Sequence, residues 1–249
     1  MREWLDISYG AQEAHKLDLY LPDAGAFALL VYFHGGGMEA GDKSHEKDIA
    51  QALCDKGIAM ISANYRMYPE AQYPDFVQDA AAAVAWTFAH IHEYGDCTGI
   101  YVGGSSAGGY LSMMLCFDKQ YLNAHGLEPT QVAGYLHDAG QPTTHFNVLR
   151  ERGLDTRRVL IDEAAPLYHV GLAEKYAPMR FILAEDDMKN RKEQTELMLS
   201  TLRHFGYEGY DLCVLPGKHV KYLHRLDAQG ENEFVRVACD FIHKTEAGR

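Results

Sequence analysis

Gly104-Ser105-Ser106-Ala107-Gly108 spells G-x-S-x-G with Ser106 at its centre. Centring the pattern on Ser105 puts Ala107 where the second glycine belongs, so the spacing selects Ser106. The pattern has a physical basis. A strand that turns abruptly into a helix strains the backbone at the apex residue. Small residues two positions to either side let that turn close without clashes. The apex hydroxyl then stands above the sheet edge, placed to attack an electrophile. A serine hydroxyl is a weak nucleophile, so it needs a base to take its proton and an acid to orient that base.

Upstream, His34-Gly35-Gly36-Gly37 closes an apolar run that begins at Ala28. When a carbonyl is attacked its oxygen becomes negative, and preorganised N–H donors stabilise it, each worth about 3 kcal/mol. Glycines let the backbone approach a substrate and aim its N–H groups inward. The amide of Ala107, at a helix N-terminus, would add a donor and a favourable dipole. His34 itself is expected to hold the glycine loop by hydrogen bonds.

In folds with this elbow the chain order is serine, acid, histidine. Glu185-Asp186-Asp187 ends a strand-like run, and one of these acids should face the base; Asp187 is the choice. Among the later histidines, His204 and His243 fall within helix patterns and should face solvent. His219 follows the last strand directly and is the expected base, with His224 in reserve.

These residues need a frame. "KLDLYLP" (Lys16–Pro22) alternates as a half-exposed strand would. Ala28–Phe33, Ile58–Arg66, Gly99–Gly104, Gln131–Gly140, Met179–Asp187 and Gly209–Gly217 read as further strands, most of them buried. Between them Ser44–Lys56, Asp75–His92, Ala107–Phe117, Asn190–Phe205 and Glu231–Lys244 read as helices. This alternation predicts an α/β fold: a mostly parallel sheet of about eight strands with helices on both faces, opened by an antiparallel hairpin near residues 4–21. Ligands of such sheets collect at the carboxyl ends of the strands, where Gly37, Gly104, Asp187 and Gly217 all fall. The segment 141–178 breaks the rhythm and is expected to form a small helical cap within one 1–249 domain. Met38, Phe146 and Tyr168 are candidates to line a substrate pocket.

The chain has 249 residues, enough for one large α/β domain, and a net charge of −12. That balance disfavours nucleic acid and anionic membrane surfaces as partners. The five cysteines are odd in number, widely spaced and lack a CxxC pair, so neither a disulfide framework nor a metal site is expected. The N-terminus lacks a leader pattern and no stretch reaches membrane-spanning length, which points to a cytoplasmic protein. Oligomeric state is not legible, and a homodimer is kept open.

Taken together, "LDLYLP", "VYFHGGGMEAGDK", "ANYRMYPEAQYPDFVQD", "GGSSAGG", "APLYHV" and "ILAEDD" resemble the α/β-hydrolase superfamily, and within it the HGGG-type carboxylesterases of the hormone-sensitive-lipase and acetyl or feruloyl esterase kind. The resemblance implies Ser106 as nucleophile, Asp187 as acid and His219 as base. It implies Gly36, Gly37 and Ala107 as oxyanion donors, and structural roles for Tyr65, Arg66, Glu70 and Asp79 around the loop after the fourth strand. Many members carry Asp where Ser105 stands, an acid where Asn190 stands, and glycine where Val220 follows His219. The resemblance implies hydrolysis of small carboxylic esters through an acyl-enzyme, with no cofactor and no metal. Two alternatives stand beside it. One is an arylformamidase or other amide hydrolase using the same triad. The other is a hydrolase-fold binding protein without activity.

Overall fold

Phe27–Phe33 shows how the sheet is built. Phe27, Leu29, Val31 and Phe33 pack into one apolar layer, while Ala28, Leu30 and Tyr32 pack into another. A strand buried on both faces has no need of polar alternation, which is why it reads as a continuous apolar run. The computed structural model describes residues 1–248. Its strands are β1 (Arg2–Ser8), β2 (Lys16–Leu21), β3 (Phe27–Phe33), β4 (Ile58–Ala63), β5 (Cys97–Ser105), β6 (Gly134–Asp138), β7 (Met179–Asp186) and β8 (Tyr210–Lys218). They form one eight-stranded sheet in the order β1-β2-β4-β3-β5-β6-β7-β8. Every pairing from β4 to β8 is parallel; only β1 with β2 and β2 with β4 are antiparallel.

The helices are α1 (Lys47–Cys54), α2 (Asp75–His90), α3 (Ala107–Phe117), α4 (Gln120–Asn123), α5 (Phe146–Glu151), α6 (Arg191–His204) and α7 (Glu233–Ala247). Apolar residues of α2, α3 and α6 share one layer; those of α1 and α7 share the other. The sheet is therefore covered on both sides. The carboxyl ends of β3, β5, β6, β7 and β8 come to a common edge, because parallel strands must all finish on one side.

β2 differs from the half-exposed strand that its alternation suggests. It lies between β1 and β4, and all its residues after Lys16 are buried. The polar member of the alternation, Asp18, is accommodated inside by Lys43, whose Nζ lies 2.7 Å from Asp18 Oδ1. The expected helix from Ser44 opens as a 3-10 turn over Lys43–Glu46 before becoming α1. The segment 141–178 contains α5 and a 3-10 turn, Pro166–His169, joined by irregular chain. It is tied down by Tyr110, whose hydroxyl donates to Ala164 O at 2.8 Å, and by Tyr73, which donates to Glu163 O at 3.0 Å.

One buried group makes the fold sensitive to acid in a defined way. His137 on β6 stacks on Tyr135 and sits against Phe117 and Phe181. Its Nδ1 lies 2.9 Å from Ser112 Oγ, whose own proton goes to Gly109 O. His137 Nδ1–H is therefore the donor, and the other nitrogen, Nε2, is buried without a partner. Protonation would place a charge and a second N–H where nothing accepts it, so burial holds this imidazole down at about 3. The unfolded chain binds a proton at His137 below its ordinary value of 6.5 and the folded chain does not. Folding stability carried by this residue thus falls as pH drops through that window. Relative to His137→Phe, the wild type should lose about 1.4 kcal/mol per pH unit between pH 6 and 4. Urea unfolding of both proteins across that range measures the gap; a gap independent of pH would contradict the assignment.

Candidate active site

Ser106 lies between the end of β5 and the start of α3 with φ 56° and ψ −108°, a conformation that a non-glycine residue adopts only under constraint. The constraint is visible. Ser106 N–H donates to Asp138 O at 2.8 Å, and Ser106 O accepts from Tyr110 N–H at 3.0 Å. The flanking glycines are there because the chain passes too close for any side chain. A Cβ on Gly108 would stand 1.8 Å from Phe33 O, and one on Gly104 would stand 2.6 Å from the same atom. The G-x-S-x-G spacing is thus the footprint of α3 beginning directly against the end of β3.

The elbow faces a histidine. His219 Nε2 is 2.9 Å from Ser106 Oγ, and His219 Nδ1 is 2.6 Å from Asp187 Oδ1. Of the three consecutive acids, Glu185 and Asp186 are exposed, whereas the Asp187 carboxylate is only 2% exposed. Asp187 Oδ2 accepts Ala184 N–H at 3.0 Å, and Oδ1 also accepts Met188 N–H at 2.7 Å. Burial pushes its pKa up, but the hydrogen bond and charge of His219, with these two amides, outweigh that and hold it below the usual carboxylate value. Asp187 therefore stays ionised through neutral pH and orients His219 with Nδ1 protonated, leaving Nε2 as an acceptor facing the Ser106 hydroxyl. His224, the reserve base, lies along the cleft, and His204 and His243 are exposed on their helices.

The glycine loop lies against the elbow. A Cβ on Gly35 would be 3.4 Å from Ser106 Cβ, and Gly36 and Gly37 have φ of 113° and 66°. Asn147 on α5 donates to Gly37 O at 2.9 Å and helps fix the loop. Among the described residues the N–H groups of Gly36, Gly37 and Ala107 donate to no protein acceptor. His34 holds the loop as expected: its Nδ1 donates to Gly35 O at 2.7 Å, and its ring stacks on Tyr65, which donates to His34 O at 3.0 Å. Arg66 and Asp79 brace the chain after β4 through paired hydrogen bonds of 2.7 and 2.9 Å; Glu70 is exposed and stands outside that brace.

These groups open on a cleft of about 570 Å³ lined by His34, the glycine loop, Ser106, Phe146, Met188 and His219. Two of the expected pocket residues are elsewhere. Met38 is fully buried, because its backbone turns at φ 65° and sends the side chain into the core. Tyr168 sits on the 3-10 turn Pro166–His169, 53% exposed and away from the cleft. Phe146 does line the cleft, its ring so near the glycine loop that a Cβ on Gly37 would meet it at 2.9 Å. Sequence reasoning passed over Glu46, which lines the same cleft with a buried, unpartnered Oε2 and is pushed up to about 7 by burial. A larger cavity of about 700 Å³ between α1 and α7 shares only Leu223 and His224 with this cleft.

Val220, which follows His219, has φ 50°. A β-branched residue in the left-handed region is held there at a cost of about 1–3 kcal/mol. A glycine would take the same turn freely, which fits the glycine that the family resemblance implies at this place.

The chain matches the BD-FAE family model over residues 17–149. It is 42% identical over 101 residues to the carboxylic ester hydrolase LipN of Mycobacterium tuberculosis, a match covering 39% of this chain and 27% of that protein. It is 31% identical over 113 residues to a kynurenine formamidase of Danio rerio, covering 45% of this chain and 38% of that one. The matches thus span about a quarter to two fifths of the length of these curated relatives. A truncated carbohydrate esterase from gut microbiota superposes with a TM-score of 0.77 at 18% identity, covering 99% of this chain and 97% of that chain. A propionate-bound thermophilic esterase from the Planctomycetes species Thermogutta terrifontis superposes with a TM-score of 0.77 at 21% identity, covering 97% and 93%. At these identities the superpositions establish the fold, which is that of an α/β-hydrolase. Among the described residues no helix is long and apolar enough to cross a membrane.

Proposed function

We propose, since this chain belongs to the BD-FAE family, an α/β-hydrolase-type esterase family, that it hydrolyses small carboxylic esters through an acyl-enzyme on Ser106. The observation that carries the reading is the 2.9 Å approach of His219 Nε2 to Ser106 Oγ at the rim of the cleft. In this reading Ser106 Oγ attacks the ester carbonyl as His219 takes its proton. The oxyanion is held by the N–H groups of Gly36, Gly37 and Ala107. His219 then returns the proton to the leaving alcohol. Water, deprotonated by the same histidine, attacks the acyl-serine, and the acid departs. Asp187 holds the imidazole in the required tautomer throughout and stabilises its charged form. The segment 141–178 serves as the cap, and Phe146 supplied by it limits the acyl group to a short chain.

The amide reading has its own support in the similarity to a kynurenine formamidase. A panel of p-nitrophenyl acetate, butyrate and decanoate, run beside N-formylkynurenine, separates the two. The expected result is a preference for acetate and butyrate over decanoate by at least about tenfold in kcat/KM, with the formamide slower than either. The decanoate loss follows because methylenes that do not fit add nothing to transition-state binding. Faster turnover of the formamide than of every ester would replace this reading with the amide one.

A further inference from the structure

Under the elbow lies a buried polar network that the reaction steps above do not use. Asp138, the last residue of β6, is fully buried. Its Oδ2 accepts a short hydrogen bond from Ser105 Oγ, and its Oδ1 accepts one from the hydroxyl of Tyr222. Since Ser105 spends its proton on Asp138, the Tyr32 hydroxyl that contacts Ser105 Oγ must be the donor there. The main-chain oxygen of Asp138 accepts Ser106 N–H at 2.8 Å. One residue therefore touches both halves of the site. It holds the nucleophile's own amide and the side chain beside it. It also holds Tyr222, three positions beyond His219, in the 3-10 turn Lys221–His224.

The location of these contacts matters. Both the elbow at Ser106 and the turn at Val220 are non-glycine residues with positive φ, at 56° and 50°. Strained backbone persists only where the surroundings over-determine it. β8 is the edge strand of the sheet, so the loop carrying His219 has a neighbouring strand on one side only. Burying a carboxylate is costly, and burial pushes Asp138 up to about 7 despite its two hydroxyl donors. An apolar residue there would avoid that cost while leaving the hydroxyls of Ser105 and Tyr222 without their partner.

We propose that Asp138 is a positioning residue that sets the spacing of nucleophile and base, holding the Ser106 elbow through Ser105 and the His219 loop through Tyr222. The proposal rests on the reading of Ser106 and His219 as nucleophile and base. A misplacement near 1 Å in such a pair costs about a hundredfold in rate. Asp138 and Tyr222 lie outside the cleft lining, and Ser105, which borders it, is buried with its hydroxyl turned to Asp138, so the loss belongs to kcat.

The experiment measures kcat, KM and melting temperature for wild type, Tyr222→Phe, Ser105→Ala, the double variant, Asp138→Asn and Asp138→Ala, with p-nitrophenyl acetate as substrate. Tyr222→Phe, which removes one oxygen and leaves the ring packed, should lower kcat about 10- to 100-fold with KM within about twofold. The double variant should lose little more than the worse single one, because both break the same link. Asp138→Asn should retain more kcat than Asp138→Ala, since its amide still bonds both hydroxyls. A folded Tyr222→Phe with kcat within twofold of wild type, or losses that simply multiply in the double variant, would overturn the proposal. If Ser106→Ala kept full activity, the parent reading would fall first and this one with it.

Discussion

Ser106→Ala is expected to lower kcat for p-nitrophenyl acetate by about 10⁴- to 10⁶-fold while leaving KM and the melting temperature close to those of the wild type. The size of the loss follows from what remains. Without Oγ no acyl-enzyme forms, and only attack by solvent water, helped by the oxyanion donors and binding, is left, which gives a small residue of the original rate. The folding part follows from the elbow. Ser106 is held at φ 56° by Tyr110 N–H and Asp138 O, which bond its main chain and not its hydroxyl. Alanine has the same Cβ and meets the same strain, so the turn survives the change. A fluorophosphonate probe should label the wild type and not the variant. Retention of full esterase activity by a folded Ser106→Ala protein would remove the nucleophile assignment, and with it the mechanism.

What could be read from the chain alone was whatever depends on local covalent geometry or on strand ends. The elbow is legible because Gly104 and Gly108 are dictated by the approach of α3 to Phe33 O, a local fact that leaves a local spacing. Asp187 and His219 are legible as candidates because parallel strands deliver their carboxyl ends to one edge, so the residues just past β7 and β8 come to the same edge as those just past β5. Asp138 ends β6 on that same edge, and "LHDAG" offered a polar strand end as a signal. Nothing local, however, says that its carboxylate turns down toward Ser105 and Tyr222 and not up into the cleft. Met38 shows the opposite difficulty. Its place after the glycine loop suggests a pocket wall, yet a single left-handed residue reverses where its side chain points. Tyr168 and Phe146 lie in the same irregular segment and end on different surfaces, because their positions depend on long-range anchors such as Tyr110, Tyr73 and Asn147. β2 looked half-exposed because the polar residue in its alternation carries no mark of the lysine, Lys43, that pairs with it inside.

Asp187→Asn is expected to lower kcat by about 10⁴-fold with little change in fold, and the reason lies in proton bookkeeping around one carboxylate. Asp187 accepts three N–H groups: His219 Nδ1–H on Oδ1 at 2.6 Å, Met188 N–H on the same oxygen, and Ala184 N–H on Oδ2. An asparagine has one oxygen and one NH₂ in the same space. If its oxygen replaces Oδ1, the NH₂ confronts Ala184 N–H and a donor meets a donor. If its oxygen replaces Oδ2, the NH₂ faces Met188 N–H and His219 Nδ1. The imidazole then relieves the clash by moving its proton to Nε2, the nitrogen 2.9 Å from Ser106 Oγ that must be the acceptor. Either orientation also removes the negative charge that stabilises the imidazolium formed during attack. Neighbouring Glu185 and Asp186 cannot substitute, since both side chains point to solvent on the exposed end of β7. Glu185→Gln and Asp186→Asn should therefore keep kcat within about twofold, as surface changes remote from the reacting atoms generally do. Near-wild-type turnover by Asp187→Asn, or a large loss in Asp186→Asn, would move the acid to another residue.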